Sequence, residues 1–379
     1  DGTTDRVKWY QFKIPVKDPD KKVGQMSNLQ SVRYVRAFLK GFKDPVILRF
    51  ASLDLVRSDW RKYENTLLDD GSTVPGSGRT VFEVSTVSLE ENSEREPVHY
   101  VLPPGIEQVI DPAQMGNVQL NEQSLSLRVL ELQDGDARGI YKNTSYDMRQ
   151  FKKIEMFVHM EKVNESDVVT DGDVHLIIRL GADYNDNYYE YEIPLSYTEW
   201  GQHTREAVWP SANKVEIDLA QLVAVKEERN KSGISAYGTP YSKVVGNAIY
   251  RVKGTPSIST VDAILIGLKN PERNASQPGT DDGKAKSVEV WVNEFSLNEF
   301  KKEGGVAATG RAQATLGDLG SISVAGSFTQ ANFGQIEQKL TDLSQDNVGS
   351  FDLAVDLELG RFAPEKVGLK VPVHYDLST

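Results

Sequence analysis

The chain has 379 residues, of which 39% are apolar and 26% charged, a balance typical of folded proteins rather than disordered chains. Its formal net charge of -12 is spread along the sequence without a basic cluster, which argues against nucleic acid as a partner. The absence of cysteine excludes disulfides, thiolate metal sites and cysteine nucleophiles.

Short apolar runs bounded by Gly, Pro, Asn and Asp recur along the first 300 residues and predict β-strands. The predicted strands cover 45–56, 80–89, 123–132, 152–161, 173–181, 187–195, 260–269 and 287–297. This spacing is typical of an all-β fold built as an antiparallel, jelly-roll-like β-sandwich. On the strand at 173–181 the pleat predicts two faces, with Leu176, Ile178 and Leu180 on one and His175, Ile177 and Arg179 on the other.

Helical signal is weak. A short helix is predicted over 218–230, with Asp218 as its N-cap residue. The segment 27–42 is ambiguous, because its apolar spacing and the Ser27/Gln30 pair fit a capped helix. An internal repeat argues otherwise, since 41–45 echoes 267–271 and an apolar strand follows each copy.

The repeat suggests a domain organisation in four parts. Residues 1–64 are expected to be the C-terminal half of a β-sandwich module, and 65–122 a connecting segment with short strands. Residues 123–300 are expected to form a complete sandwich, and 305–379 a set of amphipathic strands. The chain begins at Asp1 without a Met, a signal peptide or an apolar helix of membrane-spanning length, so we expect it to be an internal piece of a longer protein.

Beyond residue 305 the pattern changes: apolar and polar residues alternate over 350–360 and 367–377, and less regularly over 320–328. Alternation puts all apolar side chains on one face of a strand. These runs match the roughly 9 to 11 residues with which a tilted strand crosses a bilayer. We therefore predict a barrel-wall segment, with a hairpin at 350–377 whose lipid-facing residues are Phe351, Leu353, Val355, Leu357, Val371 and Val373. An open sheet edge is not tolerated in lipid, so further strands of the same barrel are expected elsewhere.

No sequence motif indicates catalysis. The five histidines, His99, His159, His175, His203 and His374, lack the spacing of a local zinc site, and no nucleophile elbow, phosphate-binding loop or zinc-protease motif is present. We assign no catalytic or cofactor-binding residue, and metal ligands are unknown. Three Asp–Gly loops, at 134–136, 171–173 and 281–283, favour turns, while their carboxylates leave room for a structural calcium ion.

Two aromatic or basic groups are candidate binding surfaces. Tyrosines and tryptophans near residue 190 are either cross-strand core or a sugar-stacking platform; they are Tyr184, Tyr188, Tyr189, Tyr191, Trp200 and Trp209. A basic strip beside two aromatics either flanks a strand end or holds an acidic partner; it comprises Arg57, Arg61 and Lys62 beside Trp60 and Tyr63.

Several blocks, in this order, resemble the SprA/Sov family. They are 31–63, 98–107, 185–195, 208–219 and 288–297, together with ATLGDLGSISVAGSF and LELGRFAPEKVGLKVPV. The resemblance spans essentially the whole chain. It implies part of a very large outer-membrane β-barrel, the translocon of the Bacteroidetes type IX secretion system, which exports proteins to the cell surface and adhesins in gliding bacteria. It also implies a barrel protein similar to PorV and a plug protein as accessory partners, secreted proteins as cargo, and membrane lipid around the strands at 305–379.

Sequence alone leaves two classes of function open. The first is a structural and transport role in an outer-membrane channel, without enzymatic activity or cofactor, with soluble portions facing the periplasm, the channel lumen or the cell surface. The second is an extracellular carbohydrate-binding or adhesion module, which explains the sandwich and the tyrosines but not the alternation after residue 305. A glycoside hydrolase would need two carboxylates across a cleft, which sequence cannot pair.

Overall fold

The computed structural model describes residues 59–68, 72–75, 78–110, 119–273, 282–301, 304–334, 337–338, 343–344 and 346–379, together with 12, 14, 21, 34–38 and 40–50. The chain divides into two units, Asp1–Arg57 and Ser58–Thr379.

In the first unit the described residues form no helix or strand. The strand predicted over 45–56 is therefore wrong for residues 45–50, and 51–56 lie outside the described residues. An apolar run becomes a strand only where a neighbour takes up its backbone groups, and Ile47 is 92% exposed with no such neighbour among the described residues. The ambiguous segment 27–42 shows no helix over 34–38 and 40–42, and its other residues lie outside the described part. Most of the half-module predicted over 1–64 also lies outside the described residues.

The second unit consists almost entirely of antiparallel strands, which confirms the predicted fold class. The strands are β1 (Arg61–Tyr63), β2 (Asn65–Leu67), β3 (Thr73–Pro75), β4 (Val81–Ser88), β5 (Gln123–Leu132), β6 (Ala137–Tyr146), β7 (Phe151–Lys162), β8 (His175–Gly181), β9 (Tyr188–Pro194), β10 (Val215–Asp218), β11 (Tyr241–Val245), β12 (Ala248–Lys253), β13 (Val261–Lys269), β14 (Lys286–Phe300), β15 (Ala307–Thr315), β16 (Gly320–Thr329), β17 (Val348–Glu358) and β18 (Pro372–Ser378). The helices are α1 (Leu89–Asn92), α2 (Arg205–Val208) and α3 (Leu219–Lys231), with short 3₁₀ turns at Ser211–Asn213, Gly317–Leu319, Leu359–Phe362 and Glu365–Val367.

Two sheets form a sandwich. One has seven strands in the order β1-β6-β13-β8-β9-β12-β11, and the other has five in the order β10-β7-β14-β5-β4. Side chains from both sheets meet in one buried cluster, in which Leu176, Ile178 and Leu180 of β8 lie with Val288 and Val290 of β14. The two predicted faces of β8 are thus confirmed. Burying each such side chain contributes about 1.5 to 3 kcal/mol, so this interior is the main source of stability.

The sheets also take up strands from outside the predicted sandwich range of 123–300. Strand β1 pairs with β6, and β4 pairs with β5 along its whole length. A two-stranded ribbon of β2 and β3 follows β1, and the Thr66 hydroxyl donates to Asp136 Oδ1 at 2.7 Å. Strands β1 and β4 therefore belong to the sandwich.

Helix α3 confirms the predicted helix. The Asp218 carboxylate accepts a hydrogen bond from the Ala220 N–H at 2.8 Å, which satisfies one of the free donors of the first turn. Leu219, Leu222 and Val225 are buried toward the sandwich interior. The apolar stripe and the N-cap together explain why this segment is helical within an all-β domain.

Strands β15 to β18 form a separate four-stranded antiparallel sheet in chain order. The strand predicted over 367–377 begins only at Pro372, because Gly368 adopts a left-handed conformation (φ +61°) that interrupts an extended run. Val371 consequently lies outside the strand.

Candidate functional site

The four-stranded sheet is fully in register. Ala314, Ile322, Val355 and Tyr375 lie side by side across β15 to β18, and the next matching row is formed by Ala312, Val324, Leu353 and Leu377. Because directly paired residues point to the same side of a sheet, the alternation seen on single strands adds up to a single apolar face. The register therefore extends the predicted hairpin to four strands.

The members of that face share an apolar or small side chain. They are Ala308, Gly310, Ala312 and Ala314 on β15; Ile322, Val324, Gly326 and Phe328 on β16; Phe351, Leu353, Val355 and Leu357 on β17; and Val373, Tyr375 and Leu377 on β18. None of them carries a charge. Sequence inspection missed β15 because its apolar positions are alanine and glycine, which give little periodic signal.

The opposite face is polar. It carries mostly hydroxyl and charged residues, namely Thr309, Arg311, Gln313, Thr315, Ser321, Ser323, Ser327, Thr329, Ser350, Asp352, Asp356, Glu358, His374, Asp376 and Ser378, with Ala325 and Ala354 between them and Ala307, Val348 and Pro372 at its two ends. His374 Nδ1 lies 2.6 Å from Asp356 Oδ1, and the Ser327 and Ser350 hydroxyls are 2.8 Å apart. The two faces thus have opposite character, and only one suits water.

The apolar face is uncovered by the described residues. Phe351 is 43% exposed and Tyr375 52%, and no residue of β15 to β18 belongs to the buried clusters of the described chain. The strands contain 9, 10, 11 and 7 residues. At about 3.3 Å per residue the longest spans roughly 36 Å, and a tilt of about 45° reduces its height to roughly 26 Å. For β17 that height matches the apolar band of an outer-membrane strand, whereas the seven residues of β18 cover roughly 16 Å at the same tilt.

The tyrosines and tryptophans interpreted as a possible sugar platform are mostly core. Tyr188, Tyr189, Tyr191 and Trp209 are between 0% and 5% exposed. A buried ring cannot stack on a sugar, so these four residues are core: the three tyrosines lie on β9, and Trp209 lies in a buried aromatic cluster after α2. Of the rest, Trp200 packs against the cluster around Trp209.

A tyrosine cluster forms at the first strand instead. The rings of Tyr63, Tyr141 and Tyr184 meet at centroid distances of 4.9 to 6.4 Å. Of the basic strip, Arg61 and Lys62 are exposed on β1, Trp60 packs against the main core, and Arg57 lies outside the described residues. Arg61 and Lys62 are consecutive on β1 and therefore point to opposite faces, so these two cations do not share one surface.

The predicted Asp–Gly loops are held by the chain itself. The Asp134 carboxylate accepts from the Arg273 N–H, Asp171 accepts from the Tyr197 N–H, and Asp136 accepts from Arg138 as well as Thr66. Most of these partners are distant in sequence, so the carboxylates tie the loops to neighbouring parts of the sandwich. Gly135 and Gly172 adopt left-handed conformations (φ +72° and +86°), as the predicted turns require. Asp281 lies outside the described residues.

The third loop meets the second through a lysine. The Lys286 ammonium, 1% exposed, lies 2.9 Å from Asp173 Oδ2 and 3.0 Å from Asp282 Oδ1, and donates at 3.4 Å to the Val168 carbonyl. Burial alone would lower the pKa of Lys286, but the hydrogen bonds to both carboxylates raise it above its ordinary value. The Lys286 ammonium thus lies between the Asp173 and Asp282 carboxylates and supplies a positive charge to both.

The histidines have separate environments. His159 is fully buried against Trp291, with ring centroids 4.0 Å apart, and its Nδ1 lies 2.7 Å from the Val208 carbonyl. His99 and His203, far apart in sequence, come within 6.2 Å between centroids. Among the described residues, no group of three or more His, Asp or Glu side chains has the arrangement of a metal site.

The outer face of the seven-stranded sheet carries a buried ionic network. Glu192 hydrogen-bonds to His175 at 2.6 Å and pairs with Arg251 and with Lys269, the latter at 3.3 Å. Burial would raise the pKa of Glu192, but His175 and the two cations together lower it below its ordinary range. These charges satisfy one another, and sequence spacing could not have paired them.

No helix among the described residues is long and apolar enough to cross a membrane. No curated protein matches the chain. Two similar solved structures are both from Clostridium thermocellum. One is a family 11 carbohydrate-binding module in complex with a beta-1,3-1,4-mixed-linked tetrasaccharide, with a TM-score of 0.27, 12% identity, and coverage of 65% of this chain and 96% of that one. The other is the family 11 module of the cellulosomal cellulase Lic26A-Cel5E, with a TM-score of 0.27, 11% identity, and coverage of 64% and 92%.

A family model, SprA_N, described as a motility related/secretion protein, matches residues 1–379. Because the match extends over the whole sequence, the chain belongs to the SprA_N family of motility related/secretion proteins.

Proposed function

We propose that the chain is part of a protein-conducting channel of the outer membrane that exports proteins through type IX secretion. Strands β15 to β18 form part of the channel wall, and the β-sandwich is a water-exposed module joined to it. The single observation that carries the proposal is the unbroken apolar face shared by four consecutive strands in register.

The apolar face of such a sheet must be covered either by a second layer of protein or by lipid. A water-exposed sheet normally covers its apolar face with a second layer, as the sandwich of this same chain does. A membrane barrel instead turns that face to lipid and keeps its polar face toward the lumen. β15 and β18 each have a neighbour on one side only among the described residues, and lipid does not tolerate such edges. The proposal therefore includes further strands on both sides.

The polar face supplies the inner surface. Serine, threonine and alanine dominate it, and Asp352, Asp356 and Asp376 outnumber Arg311. Small side chains and hydration suit a surface along which a protein passes without sticking. Cargo proteins, an accessory barrel similar to PorV, a plug protein and location in the outer membrane belong to the same proposal. We assign no catalytic residue and no cofactor to this role, and at Asp173 and Asp282 the Lys286 ammonium supplies the positive charge that a structural calcium ion would provide.

The carbohydrate-binding alternative lacks an exposed platform in the predicted place. Its best candidates, Tyr188 and Trp209, are 0% and 3% exposed. We therefore do not propose it as a second function.

The test compares arginine on the two faces of β17 in the full-length channel. Val355 lies between Ile322 and Tyr375, so Val355→Arg puts a charge among apolar neighbours. A lipid-facing arginine near the midplane costs roughly 2 to 4 kcal/mol. We expect Val355→Arg to reduce the amount of channel assembled in the outer membrane.

The matched control is the adjacent Ala354→Arg on the polar face, where the new cation faces Asp376 on β18. Asp356→Arg is a second control on that face, although it also removes the contact with His374. Both should assemble nearly normally. Equal assembly of Val355→Arg and Ala354→Arg would rule out a lipid-facing β17.

A further inference from the structure

Two connections lie side by side at one end of the four-stranded sheet. Residues 316–319 join β15 to β16, residues 359–371 join β17 to β18, and the 3₁₀ turns within them contact each other. The Glu358 carboxylate accepts from the N–H groups of Gly360 at 3.4 Å and Val371 at 2.5 Å, which fixes both ends of the longer connection. This end of the sheet is therefore a defined surface.

Close backbone contacts at two glycines also show that this end of the sheet has a defined structure. A Cβ on Gly360 would overlap the Leu369 carbonyl oxygen, and one on Gly320 would overlap the Asp356 carbonyl oxygen. Only glycine permits these approaches. The longer connection is thus folded back on itself against the sheet.

The longer connection exposes large apolar side chains. Phe362 is 76% exposed, Val367 64% and Leu369 53%, and Leu359 adds 39%. The connection directly continues β17 and β18, whose last apolar pair is Leu357 with Val373. Apolar surface thus extends past the ends of the strands instead of stopping with them.

Cations accompany these apolar residues. The segment 359–371 contains three basic residues, Arg361, Lys366 and Lys370, and one acidic residue, Glu365. Arg361 lies 3.7 Å from Asp318 with more than half its side chain exposed, and the other two cations are exposed with no ion-pair partner among the described residues. An exposed aromatic ring beside long exposed cations is characteristic of the water–lipid boundary, where the ring and the apolar stems lie in the membrane and the charges reach phosphate.

Connection length indicates which leaflet is involved. The connection 330–347 and the sandwich, which enters β15 through 301–306, are at the opposite end of the sheet. The connection 330–347 is longer than either 316–319 or 359–371. Outer-membrane barrels have short turns on the periplasmic side and longer loops outside, which assigns the end with 316–319 and 359–371 to the periplasmic leaflet.

We propose that residues 359–371 form an interfacial segment that binds the headgroups of anionic glycerophospholipids in the periplasmic leaflet, through Arg361, Lys366 and Lys370, while Phe362 anchors it in the acyl boundary. This inference rests on the proposed function, because it requires β17 and β18 to cross the membrane. It also orients the channel, with the β-sandwich at the cell-surface end.

The experiment attaches a fluorophore to the thiol of a Phe362→Cys variant of the full-length channel in a cysteine-free background, reconstituted in equimolar phosphatidylglycerol and phosphatidylcholine. Quenching by brominated phosphatidylglycerol is compared with quenching by brominated phosphatidylcholine, and iodide reports water. We expect lipid quenching with a several-fold preference for phosphatidylglycerol, since each cation near an anionic surface contributes about five-fold in binding. When Arg361→Gln, Lys366→Gln and Lys370→Gln are added, the ratio of quenching by brominated phosphatidylglycerol to quenching by brominated phosphatidylcholine should fall close to one.

Two controls accompany this measurement. The same fluorophore attached to a Leu353→Cys variant, on the apolar face of β17, should be quenched by both lipids equally. Adding Lys231→Gln, on α3, to the Phe362→Cys variant should leave the signal of its fluorophore unchanged, because that lysine lies on the sandwich.

The two labelled variants separate this proposal from the proposed function. If lipid quenches the fluorophore of Leu353→Cys while only iodide quenches that of Phe362→Cys, the interfacial proposal is wrong and the channel wall stands. If only iodide quenches both fluorophores, both proposals are wrong. A lipid-quenched Phe362→Cys fluorophore without phosphatidylglycerol preference overturns the assigned headgroup. Labelling of the Phe362→Cys thiol by a membrane-impermeant maleimide on intact cells overturns the assigned leaflet.

Discussion

Replacing Lys286 by methionine should strongly destabilise the β-sandwich. The side chain is 1% exposed, and its ammonium is bound by Asp173 Oδ2, Asp282 Oδ1 and the Val168 carbonyl. Methionine fills a similar volume, so the change mainly removes charge. It leaves the Asp173 carboxylate, 9% exposed, without its cation.

Removing one partner of a buried ion pair typically costs about 3 to 5 kcal/mol. A domain with about 5 to 15 kcal/mol of total stability would lose a large fraction of it. Adding Asp173→Asn should recover much of the loss, because the double variant no longer buries the Asp173 charge and the asparagine oxygen can still accept from the Thr170 N–H, which lies 2.7 Å from Asp173 Oδ2.

The assay is urea unfolding of residues 59–301, followed by tryptophan fluorescence. This range contains every member of the three buried clusters, and Trp209 and Trp291 lie in one of them. The matched control is Lys231→Met, where the side chain is 78% exposed and pairs with Glu227 at 3.6 Å. Such surface pairs contribute about 0 to 1 kcal/mol. If both methionine variants unfold at similar urea concentrations, the buried ammonium does not hold the loops together and the reasoning fails.

Two further predictions concern the same 59–301 range. The folded-state pKa of Glu192 lies below its unfolded value of about 4.3. The ionised Glu192 side chain therefore contributes its full stabilisation above a pH of about 4.3, and this stabilisation is lost as the pH falls through and below that value. Glu192→Gln should flatten the acid side of the pH–stability curve, and an unchanged slope would contradict the ionic pairing of Glu192. Tyr188→Ala and Trp209→Ala should each lower the unfolding free energy by about 3 to 5 kcal/mol, as for other buried aromatic residues. If the wild-type protein binds a glycan, and these variants lose that binding without losing stability, a sugar platform would be favoured instead.

Much of the architecture could be predicted from sequence because strand pattern is local. The apolar run at 123–132 became β5 without a change of boundary, and Asp218 caps α3 as expected. The apolar face of β17 could also be anticipated, since that strand is apolar at every second residue from Phe351 to Leu357. Strand β18 starts late because a single left-handed glycine, Gly368, interrupts the pattern.

Long-range pairing could not be predicted. Nothing in the spacing of Asp173 and Lys286 indicates that they meet, and the same is true of His99 with His203. Such contacts depend on strand order within the sheets, which hydrophobic period does not encode. The interfacial segment 359–371 was missed for a related reason, because part of it alternates as a strand does and its true conformation depends on Glu358 capping both its ends.

The strand order of the sandwich has a consequence for how the chain folds as it is made. The last strands of the sandwich in sequence lie in the middle of both sheets, with β13 between β6 and β8 and β14 between β7 and β5. Before residue 300 emerges, the five-stranded sheet lacks a central strand and the core cannot close. Folding must therefore wait for contacts of long sequence separation, which form slowly. For a chain that must reach the outer membrane, as we propose, slow closure would keep the polypeptide unfolded on its way there. Packing of β14 at Trp291 would then complete both the main core and the smaller tryptophan cluster in one step.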